Sequence, residues 1–376
     1  MLTRLDLRYF KCFELLRLPL GHLTLLSGAN ASGKSSVLQA LVLLHQTMRE
    51  HEWSARLMLN GEAIKLGTVS DVVDKVHGRK GLSIGVIDHN KTYSWSFSGE
   101  RSELSMAVDY VMVDQDRIDQ PERLRHLLLP ELITPLANRL KNLTYITAER
   151  IGPREVYALE DRQIASVVGP AGEHAVSVLH WGRDEPALDG LVIQDVINKR
   201  LHQVEARMRM FFPGCGLEVQ QVPRVNAVTL GLRTSDATDF HRPIHVGFGL
   251  TQVLPIVIAA LSATEEDILL IENPEVHLHP AGQVFMGQFL AEIASVGIQV
   301  IVETHSDHVL NGIRRFVKSG QIQPEQVALH FFRSSSSIDI AQVVSPQIDA
   351  RGNINSWPDG FFDQFDKDMN YFAGWE

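Results

Sequence analysis

Apolar and polar residues alternate from Leu2 to Phe13, with Leu5, Leu7 and Tyr9 set against Arg4, Asp6 and Arg8. That period of two predicts a strand. The apolar run Leu23-Thr24-Leu25-Leu26 predicts another, and Ser36 to Leu44 reads as a helix directly after a glycine-rich turn. Two runs, Ser83 to Ile87 and Tyr93 to Phe97, flank turn residues and predict a hairpin. A further strand is expected from Leu104 to Val113, a loop from Asp114 to Glu122, and mostly helix from Leu124 to Leu140 despite two prolines. Leu143 to Thr147 reads as a buried strand. Apolar positions at Ile193, Ile197, Leu201, Val204 and Met208 predict a helix from Leu191 to Met210. Its other face carries Lys199, Arg200, Arg207 and Arg209, which reads first as a solvated face and second as a nucleic-acid or partner contact. Two strands are expected between Leu217 and Thr234. Downstream, a helix that His245 to Gln252 opens and that runs through Leu261, and another at 281–294, alternate with strands ending at Glu272 and Glu303, and strands at 327–332 and 338–344 close the pattern.

The turn between the second strand and its helix is Gly28-Ala29-Asn30-Ala31-Ser32-Gly33-Lys34-Ser35. Strand, glycine-rich turn and helix form the context of a phosphate-binding P-loop. Gly28 and Gly33 permit backbone angles closed to other residues, so successive N–H groups can face an anion. The helix start adds unpaired N–H groups and the positive end of its dipole. Lys34 supplies a charge for the β- and γ-phosphates, and the Ser35 hydroxyl a ligand for Mg²⁺. The stretch predicts binding of ATP with Mg²⁺ through Gly28, Asn30, Ala31, Ser32, Gly33, Lys34, Ser35 and Ser36.

Composition narrows the setting. The chain has 376 residues and a formal charge of −10, which argues against a general basic coat for nucleic acid. Its two cysteines, Cys12 and Cys215, fit a reducing compartment and no disulfide framework. The charged N-terminus is unlike a signal peptide, and no apolar run reaches the length of a membrane span, so a cytoplasmic protein without membrane contact is expected.

The run Asp267-Ile268-Leu269-Leu270-Ile271-Glu272 is an apolar strand ending on a carboxylate, the second half expected of an ATP site. Glu272 is therefore the candidate for holding Mg²⁺ together with Ser35. The next strand leads to His305, where ligands of open α/β sheets collect. His277 and His279 with Glu275 allow a second, metal-binding reading, but no third and fourth zinc ligand is evident nearby. Glu149, Arg150 and Arg154 form a charged knot, read either as ion pairs at a domain seam or as a coupling between nucleotide and partner.

Together, the opening Leu5 to Phe13, the P-loop, Glu272 with Pro274-Glu275-Val276-His277-Leu278-His279-Pro280, and Glu303-Thr304-His305-Ser306 resemble the ABC-type ATPases of the SMC, RecF and OLD group. The tail Trp357-Pro358-Asp359-Gly360-Phe361-Phe362-Asp363 resembles that of small stand-alone bacterial AAA-family members with a C-terminal domain of unknown function. The resemblance implies an α/β P-loop head with a mixed β-sheet flanked by helices, an antiparallel β lobe and a helical insertion. It also implies a homodimer or higher oligomer in which each P-loop meets the other head's signature segment, here around Gly249. Glu272 matches the Walker B carboxylate and His305 the switch histidine. Two departures stand out. Gly247 replaces the usual signature serine, and Asn273 replaces the glutamate that polarises the attacking water. An amide cannot accept a proton, so slow hydrolysis or a contribution from Glu275 is expected.

The expected layout is 1–80 for the first part of the ATPase core, 81–240 for the β lobe and insertion, 241–345 for the second part of the core, and 346–376 for the tail. The favoured role is a nucleotide switch acting on a separate effector, a nuclease or toxin, in defence against phage or plasmids. Its support is that roughly 70 residues follow His305, too few for an appended nuclease. The competing roles are a DNA-repair or chromosome-maintenance ATPase, in which DNA is contacted, and a non-hydrolysing ATP-sensing scaffold. A transporter subunit is disfavoured by the roughly 210 residues between P-loop and signature.

Overall fold

Tyr9 and Lys11 adopt φ of 55° and 51°, a left-handed turn that folds the opening stretch back on itself. The single strand expected from Leu2 to Phe13 is thus a hairpin, β1 (Leu2–Phe10) with β2 (Phe13–Pro19), in which Phe10 faces Phe13. The structure, a computed structural model, describes the chain except residues 77, 132–134, 162–166, 334–341 and 375–376, and for residues 364–366 the backbone alone. Part of the strand expected at 338–344 lies outside the described residues. The chain divides into two units, one of residues 1–141, 303–307 and 314–376, the other of residues 142–302 and 308–313.

In the first unit the hairpin is followed by β3 (Leu23–Gly28), α1 (Lys34–Glu50), β4 (Arg56–Met58), α2 (Val69–Val72), β5 (Gly81–Asp88), β6 (Lys91–Ser98), β7 (Ser105–Val113), β8 (Asp116–Asp119) and α3 (Pro135–Lys141). The antiparallel sheet runs β2-β1-β5-β6-β7-β4, with β8 on β7. Its inward positions, among them Trp95, Phe97, Leu5 and Leu7, are fully buried, and the alternation visible in the sequence is this inside–outside pleat. The loop expected at 114–122 contains β8, whose residues Asp116 to Asp119 register against Val113 to Tyr110. Among the described residues, the helix expected from Leu124 is present only as α3. Leu124, Leu127 and Leu128 are buried in a tight turn instead.

In the second unit are β9 (Thr144–Ile146), β10 (Tyr157–Ala158), α4 (Ala175–Gly182), α5 (Arg200–Phe211), β11 (Gly216–Gln221), β12 (Ala227–Arg233), α6 (Phe248–Ser262), β13 (Ile268–Glu272), α7 (Pro280–Ser295) and β14 (Gln299–Glu303), whose last residue already belongs to the first unit. β9 pairs parallel with β13, placing Tyr145 opposite Leu270 and Ile146 opposite Ile271. Three antiparallel strands, β10-β12-β11, make a separate sheet. After α8 (Asp307–Lys318), which both assignments share, come β15 (Val327–Phe332), β16 (Val343–Val344) and α9 (Gln364–Ala373). β15 lies parallel to β3, Phe331 opposite Ser27 and Phe332 opposite Gly28. Parallel strands buried on both faces explain the unbroken apolar runs at β3 and β13.

The basic helix needs correcting. α5 begins at Arg200, not Leu191, and Ile197 is exposed. The amide of Gln203 donates to the carbonyls of Val196 and Ile197, and its oxygen accepts from the N–H of Ile193, so a side chain organises this stretch as a loop. Arg200 and Arg207 are not on a solvated face either. Both are buried: Arg207 makes a bidentate pair with Glu292 at 2.7 and 2.9 Å, and Arg200 pairs with Glu185 and donates to the carbonyl of Leu261. The carboxylate partners stay in reach of solvent, Glu292 26% and Glu185 45% exposed, so water screens both pairs.

Candidate nucleotide site

The loop between β3 and α1 has the strained backbone its sequence predicts. Gly28, Ala31 and Gly33 have φ of 139°, 58° and 104°. At Gly33 the positive φ coincides with crowding, since a Cβ there would lie 2.7 Å from Cys12 Sγ and 2.6 Å from the Phe13 ring. At Gly28 it would run into the carbonyl of Phe332. The loop is held by Ala29 N–H donating to that carbonyl and by Ser32 Oγ donating to the carbonyl of Ala29.

Beneath the loop lies a cavity of about 400 Å³, lined by Asn30 to Ser36, by Lys11, Cys12 and Gln39, and by Glu303 and His305. Lys34 is only 4% exposed. Its ammonium donates to the carbonyls of Ala29 (2.8 Å) and Gly28 (3.2 Å) and lies 3.8 Å from Glu303 Oε1. Burial lowers the Lys34 pKa, and the Glu303 charge opposes that shift. The segment carrying Glu303 and His305 is secured beside β3 by Thr304 N–H donating to the carbonyl of Leu26 (3.1 Å). The lysine is thus stored against its own loop, next to a carboxylate, in a cavity large enough for a polyphosphate. The donor set fits magnesium nucleotide: cationic nitrogen, backbone N–H groups at the start of α1, and the Ser35 hydroxyl.

Glu272 belongs to the second unit, at the end of β13. Its Oε1 accepts from the Tyr145 hydroxyl at 2.7 Å and its Oε2 from the N–H of Ala148 at 3.3 Å. Arg150 is buried (6% exposed). Its Nη1 donates to the carbonyls of Thr147 (3.0 Å) and Glu272 (2.9 Å), and its Nη2 to that of Asn273 (2.8 Å). Burial pushes the Arg150 pKa down to about 10, against the charges of Glu275 and Glu272, so it stays a cation at neutral pH. Asn273 has φ of 45°, a left-handed conformation that asparagine tolerates better than glutamate does. Gly249 sits in the first turn of α6, where a Cβ would come within 3.0 Å of the His277 carbonyl. Among the described residues, no three His, Cys, Asp or Glu side chains gather in a way that could hold a metal ion.

The structure thus brings Asn30, Ala31, Ser32, Gly33, Lys34, Ser35, Ser36 and His305 around one cavity, and places Gly28 at the loop's first turn. Glu272, Asn273, Glu275 and Gly249 lie in the second unit. Sequence reasoning missed Glu303, Cys12, Lys11 and Gln39 as cavity residues and Tyr145 as the partner of Glu272. A charged last residue on an otherwise apolar strand was the signal that could have found Glu303.

Residues 194–310 match the AAA ATPase domain family, and residues 322–371 match a protein family of unknown function, DUF3696. A protein of Listeria monocytogenes serotype 4b (strain F2365) that carries the name of an ABC transporter ATP-binding protein is 25% identical over 151 residues, which cover 39% of this chain and 54% of that protein. The chain spans about half the length of this curated relative. The fold is similar to an Smc head crystallised with the C-terminal winged-helix domain of ScpA, at TM-score 0.59 and 15% identity over 92% of this chain and 97% of the other. An Smc head with an extended coiled coil, bound to the C-terminal domain of ScpA from Pyrococcus furiosus, gives TM-score 0.55 and 13% identity over 99% and 98%. No helix among the described residues is long and apolar enough to cross a membrane. The chain thus carries a segment similar to the AAA ATPase domain family and a fold similar to that of Smc heads.

Proposed function

We propose that the first unit binds ATP with magnesium in the Lys34 cavity, and that the chain works as a slow ATPase switch in pairs. The observation that carries this reading is Lys34 itself: a buried ammonium held on the carbonyls of Gly28 and Ala29, beside Glu303 and facing the cavity. An incoming polyphosphate replaces contacts to neutral carbonyls with contacts between opposite charges, N⁺–H···O⁻. Ser35 would supply the hydroxyl for magnesium, which neutralises charge on the phosphates. His305 would report the γ-phosphate. Glu272, held by Tyr145 and Ala148, would act as the Walker B carboxylate, and the Gly249 turn of α6 would meet the nucleotide of a second copy.

Turnover is expected to be slow because Asn273 can orient water but cannot take its proton. The same residue favours a second reading, a scaffold that binds ATP without hydrolysing it. Phosphate release by wild type and by Asn273→Glu separates the two: detectable wild-type turnover, raised by the substitution, supports a slow ATPase, and none in wild type supports the scaffold. Mass measurement with and without ATP tests pairing. For the downstream role we favour a switch for a separate effector in defence. The DNA-maintenance reading loses one support, since Arg200 and Arg207 are buried in ion pairs.

A further inference from the structure

We propose that Arg150 and Gln252 are positioning residues that couple the Gly249 turn of α6 to the Glu272 end of β13; this rests on the reading of Glu272 as the carboxylate of an ATPase. Arg150 grips two successive main-chain carbonyls directly after the carboxylate-bearing Cα, those of Glu272 and Asn273. Gln252, only 3% exposed and one turn into α6, donates in turn to the carbonyls of Arg150 (3.3 Å) and Ile151 (3.4 Å). The two links run in series, from α6 through the segment after β9 to the end of β13. A parallel contact reinforces them. The half-exposed Phe248 ring packs 5.4 Å from the His277 ring, and a Cβ on Gly152 would lie 2.8 Å from it.

The choice of arginine is informative. A buried cation is costly, and an apolar side chain of similar size would often be as stable or more so. What a guanidinium offers here is a rigid planar fork that reaches three carbonyls at once, which a lysine ammonium on a flexible stem does not reproduce. The fork holds the Asn273 carbonyl while that residue occupies a left-handed conformation, φ 45°, of the kind that persists only when its surroundings enforce it. The N–H of Val276 donates to the same carbonyl at 3.3 Å. Loosening Arg150 therefore frees the whole turn from Asn273 to His277. A second copy seated on the exposed end of α6 acts on Glu272 through this path, so engagement and catalytic competence rise together.

The test is hydrogen–deuterium exchange on the intact chain as Q252A and R150K, combined with steady-state ATP turnover. Exchange of the Val276 and Leu278 amides should rise severalfold in both variants, although the hydrogen bonds of Gln252 go to Arg150 and Ile151. In R150K, kcat should fall about tenfold with the ATP KM within twofold, because charge is kept and only the fork is lost. Exchange at 273–279 equal to wild type in both variants would overturn the proposal, as would wild-type kcat in R150K. A wild-type protein without ATP turnover contradicts the ATPase reading instead, and the exchange result then decides the coupling alone.

Discussion

At the P-loop the backbone is left ready to bind, whereas at the end of β13 the backbone is itself bound. The loop from Gly28 to Gly33 keeps its strained angles with a few tethers, among them a hydroxyl, the Ala29 amide, the Gln342 side chain and the Lys34 ammonium, around an open cavity. The turn after Glu272 is gripped by a buried guanidinium, and its carboxylate is already occupied by Tyr145 and Ala148. One region is built to receive charge, the other to hold a charge at a fixed place. Affinity should therefore reside in the first and rate in the second, and variants of the two should separate cleanly.

The sharpest break would come from Glu272→Gln. It should lower kcat about 100-fold, as loss of an essential carboxylate does, while ATP affinity stays within about threefold. Equal losses of both would merge the two roles. Next, Tyr145→Phe removes the hydroxyl that orients Glu272 and should cost about tenfold in kcat, roughly one charge-assisted hydrogen bond, with affinity unchanged in a titration with a fluorescent ATP analogue.

On the binding side, Gly33→Ala forces a Cβ against Cys12 and Phe13 at φ 104°. About 1–3 kcal/mol of strain should appear as a lower urea midpoint or as ATP affinity weaker by up to about 100-fold, with kcat at saturation retained.

The smallest effect concerns Cys12, an exposed residue whose thiol lines the cavity and whose pKa is raised by partial desolvation there. Only the thiolate reacts, so alkylation by iodoacetamide should be slow near neutral pH and climb only in the alkaline range. Saturating ATP should slow it severalfold. Cys215, buried and pushed up to about 11, should stay unmodified in the native chain and serves as the internal control.

The strand, glycine turn and helix around Gly28 to Ser35 were legible because their information is local: glycine spacing, one lysine and a flanking strand and helix within a dozen residues. The place of Glu272 at the end of its strand was legible for the same reason, a carboxylate closing an apolar run. What escaped the sequence depends on partners far along the chain. Arg207 reads as a surface charge until Glu292, 85 residues on, closes a bidentate pair with it. Arg200 likewise finds the carbonyl of Leu261, 61 residues away. The stripe from Ile193 to Met208 has helical spacing, yet Gln203 draws its first residues into a loop, a side-chain competition with the helix that periodicity does not register. The β1–β2 hairpin was hidden because Tyr9 and Lys11, neither a usual turn residue, take positive φ. Tyr145 became the partner of Glu272 only through the parallel register of β9 and β13.

The central claim is that ATP binds through Lys34. It is tested most directly by calorimetric titration of ATP with magnesium into wild type and into Lys34→Ala, with thermal unfolding showing that both are folded. Lys34 supplies about 2–3 kcal/mol of charge-assisted contact, so the variant should bind about 30- to 100-fold more weakly. Equal affinity in the two proteins would contradict the account.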